Sequence, residues 1–399
     1  MRVGVAYRES LDSYRFNDQH PMQPARFSLA VELMRDWGLL AESTNTSRSS
    51  GQEARPIPFG SATMAELLLA HDGDYIEAVR AASTGARIPA RFGIGPGDTP
   101  AFLDMHEAAA LACGATAAAA RAVISGHPVR AFAPAGGLHH AHRDHASGFC
   151  IYNDAVIAIE LMLAEPSMSR VAYVDIDAHH ADGVEAAFEA RPEVLTLSVH
   201  ESGRYLFPGT GRATCIGSGA GAGSVVDVPL PPNADPACYR LAFQRVVIPT
   251  LRAFEPDVIV AQLGADSHVR DPLTHLAQTT AGFCDCVRTL CALADELCSG
   301  RLLALGGGGY RPYCETPVMW AAALAVMLEL PVPEELPPSW LASAKALATR
   351  AGHDPCDLIK TMDHPRTQPD EHALASTRFA IEQVRRASPL LGNGDDTPS

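Results

Sequence analysis

A chain of 399 residues, 47% hydrophobic and 19% charged, has material for a sizeable core and for one large α/β domain or two ordinary ones. Its 46 acidic against 31 basic residues leave a formal charge of −15, which argues against a nucleic-acid partner and is compatible with cationic substrates such as lysine-containing peptides or polyamines. The start, MRVGVAYRES, lacks the apolar stretch of a signal peptide, no apolar run approaches a membrane span, and the ten cysteines include no C-x-x-C pair, so the chain reads as soluble, reduced and cytoplasmic, with no membrane partner.

Residues 3–6 are expected as a first strand, and 24–40 as an amphipathic helix with Phe27, Val31 and Met34 on one face. The polar stretch 41–56 reads as an exposed loop. Thr63-Met64-Ala65-Glu66 has capping-box spacing ahead of a helix through Ala70. Residues 74–82 start another helix, and 105–124 make a long Ala-rich one. Strands are then expected at 129–133, 171–175, 194–199, 225–230, 258–263 and 302–305. Helices are expected between them at 154–163, 184–190, 236–254 and 281–297. This βαβ rhythm predicts an α/β fold with a mainly parallel sheet and helices on both faces.

Cys284, Cys286, Cys291 and Cys298 fall on the last of these helices and read as buried free thiols rather than a zinc knuckle. The segment 217–224 (GSGAGAGS) precedes a strand, not a helix, so it lacks the context of a dinucleotide loop and reads as a flexible connector. Prolines after 330 mark the end of the sheet region. The expected division is a catalytic domain over 1–330, two or three peripheral helices within 331–388, and a disordered tail over 389–399.

Three of the strands end in residues able to hold or serve one metal ion. Residues 171–175 lead into Asp177-Ala178-His179-His180-Ala181-Asp182-Gly183, 258–263 into Gly264-Ala265-Asp266, and 302–305 into four glycines and Tyr310. In an open α/β sheet reactive groups gather beyond the carboxyl ends of the strands. Asp177 and His179 alternate along an extended segment and point to one side. With Asp266 they make three protein ligands and leave a position open, the pattern of a catalytic rather than a structural zinc site. A lone strand-end Asp serves equally to cap the next helix; the whole constellation argues for the metal.

Gly136-Gly137-Leu138-His139-His140-Ala141, after strand 129–133, supplies two imidazoles for acid–base work, and Asp175 and Asp182 are the natural carboxylates to orient them. Tyr310, after Gly306–Gly309, is placed to donate to an oxyanion. The glycine run lacks the lysine and spacing of a phosphate loop.

GGLHHA, SGFCIYND, YVDIDAHHADG, FPGTG, QLGAD and GGGGY, in that order over residues 1–330, resemble the signature blocks of the zinc-dependent histone deacetylase superfamily. GPGDTP, DMHEAAALACGAT and QLGADSHVRDPLTHL bring the likeness closest to the bacterial acetoin-utilisation deacetylases, on the class I side. The resemblance implies the arginase/deacetylase fold, with a central eight-stranded sheet. It also implies zinc on Asp177, His179 and Asp266, with iron(II) fitting the same ligands. His140, paired with Asp182, would be base and then acid; His139, paired with Asp175, its electrostatic partner; Tyr310 would polarise the acetyl carbonyl. Phe149 and Phe207 would wall an acyl-lysine tunnel, with Gly148 at its narrow part, Asp98 at its rim, and Leu273 also contacting substrate. Potassium would fall on Asp175, Asp177, His179, Ser198 and Val199. Ala181 stands where a Gly is usual, which should be harmless, and Gly97 where a rim Tyr is usual, which opens the rim.

The reaction so implied is hydrolysis of Nε-acetyl-lysine on a protein, an acyl-CoA synthetase being one candidate partner. The alternatives are a deacetylase of small acetylated amines such as acetylpolyamines, and a non-catalytic acyl-lysine-binding scaffold. A ureohydrolase would need a paired Asp-x-Asp where this chain reads Gly264-Ala265-Asp266-Ser267-His268.

Overall fold

Seven largely apolar, buried runs and one half-buried pair form eight strands: β1 (Val3–Val5), the half-buried β2 (Arg55–Pro56), β3 (Arg130–Ala133), β4 (Val171–Asp175), β5 (Val194–Glu201), β6 (Val225–Leu230), β7 (Val258–Gln262) and β8 (Leu302–Leu305). The computed structural model describes residues 3–41, 53–95, 97–358, 360–363 and 369–392. The strands make one sheet in the order β2-β1-β3-β8-β7-β4-β5-β6, every neighbouring pair parallel. A parallel sheet needs helices to cover it, which explains strands without an alternating polar face.

The central strands end flush. Ala133 pairs with Leu305, Leu305 with Gln262, and Gln262 with Asp175. The loops after β3, β8, β7 and β4 therefore leave the sheet side by side. β3 and β4 are consecutive in sequence yet separated in space by β8 and β7. That reversal opens a crevice of the kind in which α/β sheets bind ligands.

Several local expectations need correcting. Arg55–Pro56, read as loop, pairs with β1 as an edge strand, where a proline is tolerated because no strand among the described residues pairs beyond it; residues 42–52 of that stretch lie outside the described residues. Met105–Ile124 does have the length and apolar character of a membrane span. It is instead a core helix, packed on helix Asp154–Leu163 and on β3. Residues 236–254 are helical throughout, as expected, but Pro236–Ala242 and Ile248–Phe254 are joined by a π-helical turn over Phe243–Val247. Pro249 sits at the restart, where its missing N–H and its ring disturb the regular ladder.

The segment 217–224 is closely packed: a Cβ on Gly217 or Gly221 would stand 2.7 or 2.5 Å from the carbonyl oxygen of Glu189. Cys284, Cys286, Cys291 and Cys298 are free and buried, but Cys314 and Cys356 form a disulfide, against the expectation of a wholly reduced chain.

Two C-terminal helices, Pro338–Ala351 and Glu371–Ala387, dock on the body. Trp340 is fully buried and donates its Nε1–H to the Leu29 carbonyl at 2.8 Å. Pro389–Leu391, assigned to the tail, form a 3-10 turn with Leu391 buried; residues 393–399 lie outside the described residues.

Candidate active site

The loop after β4 brings Asp177 and His179 to the loop after β7, which carries Asp266. His179 Nδ1 lies 3.1 Å from Asp177 Oδ1 and 2.9 Å from Asp266 Oδ2. The other carboxylate oxygens are already occupied. Asp177 Oδ2 accepts from Gln262 Nε2 and Gly308 N, both at 2.7 Å, and Asp266 Oδ1 accepts from Ala178 N at 2.9 Å. One nitrogen and two oxygens, all within 4.8 Å of one another and buried, are left facing a common point. Two carboxylates with their second oxygens tied off and an imidazole nitrogen fit a divalent metal ion.

The loop after β3 delivers His139 and His140, and a buried carboxylate shapes it. Asp154 accepts from Gly137 N at 2.9 Å, Leu138 N at 2.8 Å and the Thr116 hydroxyl at 2.6 Å. Asn153 adds a side-chain bond to the Ala141 carbonyl at 2.9 Å. Each imidazole then meets its own carboxylate: His139 Nδ1 to Asp175 Oδ2 at 2.8 Å, His140 Nδ1 to Asp182 Oδ1 at 2.7 Å.

The two Nε2 atoms are 3.1 Å apart, so one must donate to the other. Burial opposes a charge on His139, but Asp175 and Asp177 outweigh it and raise its pKa to about 9. Burial, and then the charge on His139, push His140 down to about 3 against the pull of Asp182. Burial alone would raise Asp182, yet its hydrogen bonds from His140 and His142 hold it well below the usual carboxylate range. The assignment that satisfies all contacts is a protonated His139 donating to a neutral His140, whose Nδ1–H goes to Asp182.

Tyr310 follows the glycine run, its backbone N–H bonded to Asp271 Oδ2 at 2.7 Å. Its ring centroid lies 6.3 Å from His179 and 5.7 Å from Phe149. Burial, then the charges of Asp266 and Asp177, raise its pKa well above 10, so the phenol keeps its proton as a donor. Phe207 closes the circuit at 5.0 Å from His140 and 6.4 Å from His179.

Gly148 faces both His140 and Phe207: a Cβ there would meet their rings at 2.4 and 2.9 Å. Asp98 accepts from Gly148 N at 3.1 Å. Gly97 has open space around it. Ala181 has φ −79°, which any L-residue adopts. Leu273 sits half-buried, its N–H on Asp271 Oδ1 at 3.0 Å. Ser198 pairs across the sheet with Asp175, and Val199 follows it; both are buried.

Beyond Asp154, Thr116 and Asn153, sequence reasoning missed four more supports. Asp271 and Gln262 hold Tyr310 and Asp177, and both lie inside motifs already noticed, where a polar residue beside a ligand was the available signal. The Tyr14 hydroxyl bonds the Phe149 carbonyl at 2.9 Å. Arg26 is fully buried, donates to the Gly309 carbonyl at 3.2 Å, and lies over the Phe27 ring; its Nε–H has no partner among the described residues.

Residues 20–327 match the model of the histone deacetylase domain. The chain therefore belongs to the histone deacetylase family, and the eight-stranded parallel sheet is its arginase/deacetylase fold. Within that family it is similar to the acetoin utilization protein AcuC of Bacillus subtilis (strain 168), 39% identical over 95% of this chain and 97% of the relative. The protein of that name from Staphylococcus aureus (strain MSSA476) is 36% identical over 85% of each chain. Among solved structures, an HDAC homolog complexed with SAHA matches with TM-score 0.80 and 29% identity over 95% of this chain and 99% of that one. An HDAC homolog from Aquifex aeolicus matches with TM-score 0.81 and 28% identity over 96% and 100%. The protein is a deacetylase of the AcuC-like kind.

Proposed function

We propose that this deacetylase hydrolyses Nε-acetyl-lysine on proteins, giving lysine and acetate, with zinc held by Asp177, His179 and Asp266. The observation that carries the reading is the convergence of those three donor atoms beside Phe149, Phe207, a neutral His140 and the Tyr310 phenol. A zinc ion there would polarise the acyl carbonyl and lower the pKa of water to ~7.

The chain's residues do the rest. His140 Nε2 carries the ring's lone pair, which accepts from His139 at rest; released from that bond it takes the proton of the attacking water, and the same nitrogen returns it to the leaving lysine amine. His139, protonated and braced by Asp175, steadies the negative charge that develops beside it. Tyr310 donates its O–H to the carbonyl oxygen as it becomes an oxyanion, and Asp271 holds the backbone that presents the ring. Phe149 and Phe207 exclude water from the methylene stem of the lysine. Asp98, at the rim, offers a carboxylate to substrate backbone, and Leu273 adds apolar contact.

Potassium on Asp175, Asp177, His179, Ser198 and Val199 belongs to the same reading, as does a cytoplasmic location. An acyl-CoA synthetase is the acetylated partner proposed with this reading. The test compares kcat/KM for an acetyl-lysine peptide with that for N-acetylputrescine. A clear preference for the peptide is expected; equal or better turnover of the small amine would move the substrate to acetylpolyamines.

A further inference from the structure

His180 follows His179 directly, yet its ring serves a different set of partners. Its Nε2 lies 2.9 Å from Glu185 Oε2 and 3.3 Å from Asp227 Oδ1, and the donor atoms of all three residues fall within 4.8 Å of one another. We propose that His180, Glu185 and Asp227 form a second metal site, for a divalent first-row cation, separate from the Asp177/His179/Asp266 group.

The distances suit ligands around an ion as well as they suit a single hydrogen bond to Glu185. Ligands held at about 2.0–2.2 Å from a metal stand roughly 3–3.5 Å from each other. One ring nitrogen has at most one hydrogen, so it serves two carboxylates poorly. Asp227 is buried on β6 with 1% of its surface exposed, and its Oδ2 has no hydrogen-bond partner among the described residues. A buried carboxylate oxygen is rarely left in that state, because a polar atom held away from water without a partner is costly. A divalent cation gives the orphaned oxygen a partner and balances the two carboxylates.

The surroundings prepare the nitrogen for it. His180 Nδ1 lies 2.8 Å from the Thr210 hydroxyl. A hydroxyl accepting Nδ1–H fixes the tautomer in which Nε2 offers its lone pair, as in ordinary metal-bound imidazoles. His200 packs at 4.8 Å between ring centroids, its own nitrogens engaged by Ser198 and the Gly211 carbonyl. Glu185 is only partly buried and gives the ion a way in. The three ligands come from the loop after β4, from helix Asp182–Phe188 and from β6. Through Thr210 the site also reaches the loop that carries Phe207. The ion would be structural, clamping a wall of the proposed tunnel. The inference does not depend on the substrate.

The test counts metal. Wild type, Asp227→Asn, Glu185→Gln and Asp266→Ala are stripped with chelator, reloaded with Zn²⁺ or Co²⁺, desalted, and analysed for metal per chain and for melting temperature. Two ions in wild type and one in each variant are expected, with Asp227→Asn and Glu185→Gln keeping deacetylase turnover. In the Asp266→Ala background, Zn²⁺ should still raise the melting temperature, and adding Asp227→Asn should abolish that rise. One ion in wild type with none in Asp266→Ala, or unchanged metal in any folded variant among Asp227→Asn and Glu185→Gln, would overturn the second site. Two ions retained in Asp266→Ala would instead overturn the assignment of Asp266. Asn is isosteric with Asp and Glu185 lies at the solvent edge, so misfolding of one variant leaves the other decisive.

Discussion

Replacing Gly148 by Ala should silence the enzyme while leaving it folded. The backbone at Gly148 has φ +51°, a left-handed conformation that costs an L-residue about 1–2 kcal/mol. The new Cβ would stand 2.4 Å from His140 Cδ2, 2.7 Å from Cγ and 2.9 Å from Phe207 Cε1. Overpacking of this kind adds ~1–3 kcal/mol. The sum, roughly 2–5 kcal/mol, is within the ~5–15 kcal/mol stability of a typical domain, so the variant remains folded. Its chemistry should not survive as well. To regain van der Waals contact the His140 ring must retreat by about 1 Å, and a misplacement of that size costs about 10²-fold in rate. The retreat pulls at the 2.7 Å bond to Asp182 and the 3.1 Å contact with His139. The assay is kcat/KM on an acetyl-lysine peptide, with urea unfolding in parallel. Gly85→Ala is the control, since Gly85 has φ +83° and open space around it; it should lose stability and keep activity. A Gly148→Ala enzyme with wild-type kcat/KM would refute the idea that catalysis runs past His140 and Phe207.

Tyr310→Phe should lower kcat by roughly 10²–10³ with little change in KM, as expected for loss of one oxyanion donor; an unchanged kcat would make the Tyr structural. His140→Ala should cost roughly 10²–10⁴ in kcat and His139→Ala less, measured side by side across pH; the reverse order would reassign the base. On one peptide carrying acetyl, propionyl, butyryl and octanoyl lysine, kcat/KM should fall with length, because extra methylenes must displace Tyr310 or strain Phe149 and Phe207 at a cost of about 1–3 kcal/mol. Octanoyl matching acetyl would place the floor of the tunnel elsewhere.

The reactive residues were legible because each follows an apolar run, and a parallel sheet with flush strand ends sets the tips of such runs in one row. The paired Asp175 and Asp182 could be named for the same reason, since they flank the β4 motif. What could not be read depends on contacts between distant parts of the chain. Arg26 reaches Gly309 across 283 residues and Tyr14 reaches Phe149 across 135, and no local pattern marks either. Arg55–Pro56 is a strand only because β1 lies beside it. Met105–Ile124 looks the same in sequence whether protein or lipid covers it; only its packing on β3 decides. The orphaned oxygen of Asp227 is likewise invisible until β6 is laid against the loop that carries His180.

The most direct test of the proposed catalytic centre is acetate release from one acetyl-lysine peptide as Zn²⁺ is returned to chelator-stripped wild type and Asp266→Ala. Wild type should regain turnover in proportion to occupancy of the Asp177/His179/Asp266 group, and Asp266→Ala should stay inactive at every Zn²⁺ concentration while its circular dichroism remains native. Full activity in the stripped protein, or in reloaded Asp266→Ala, would contradict the account.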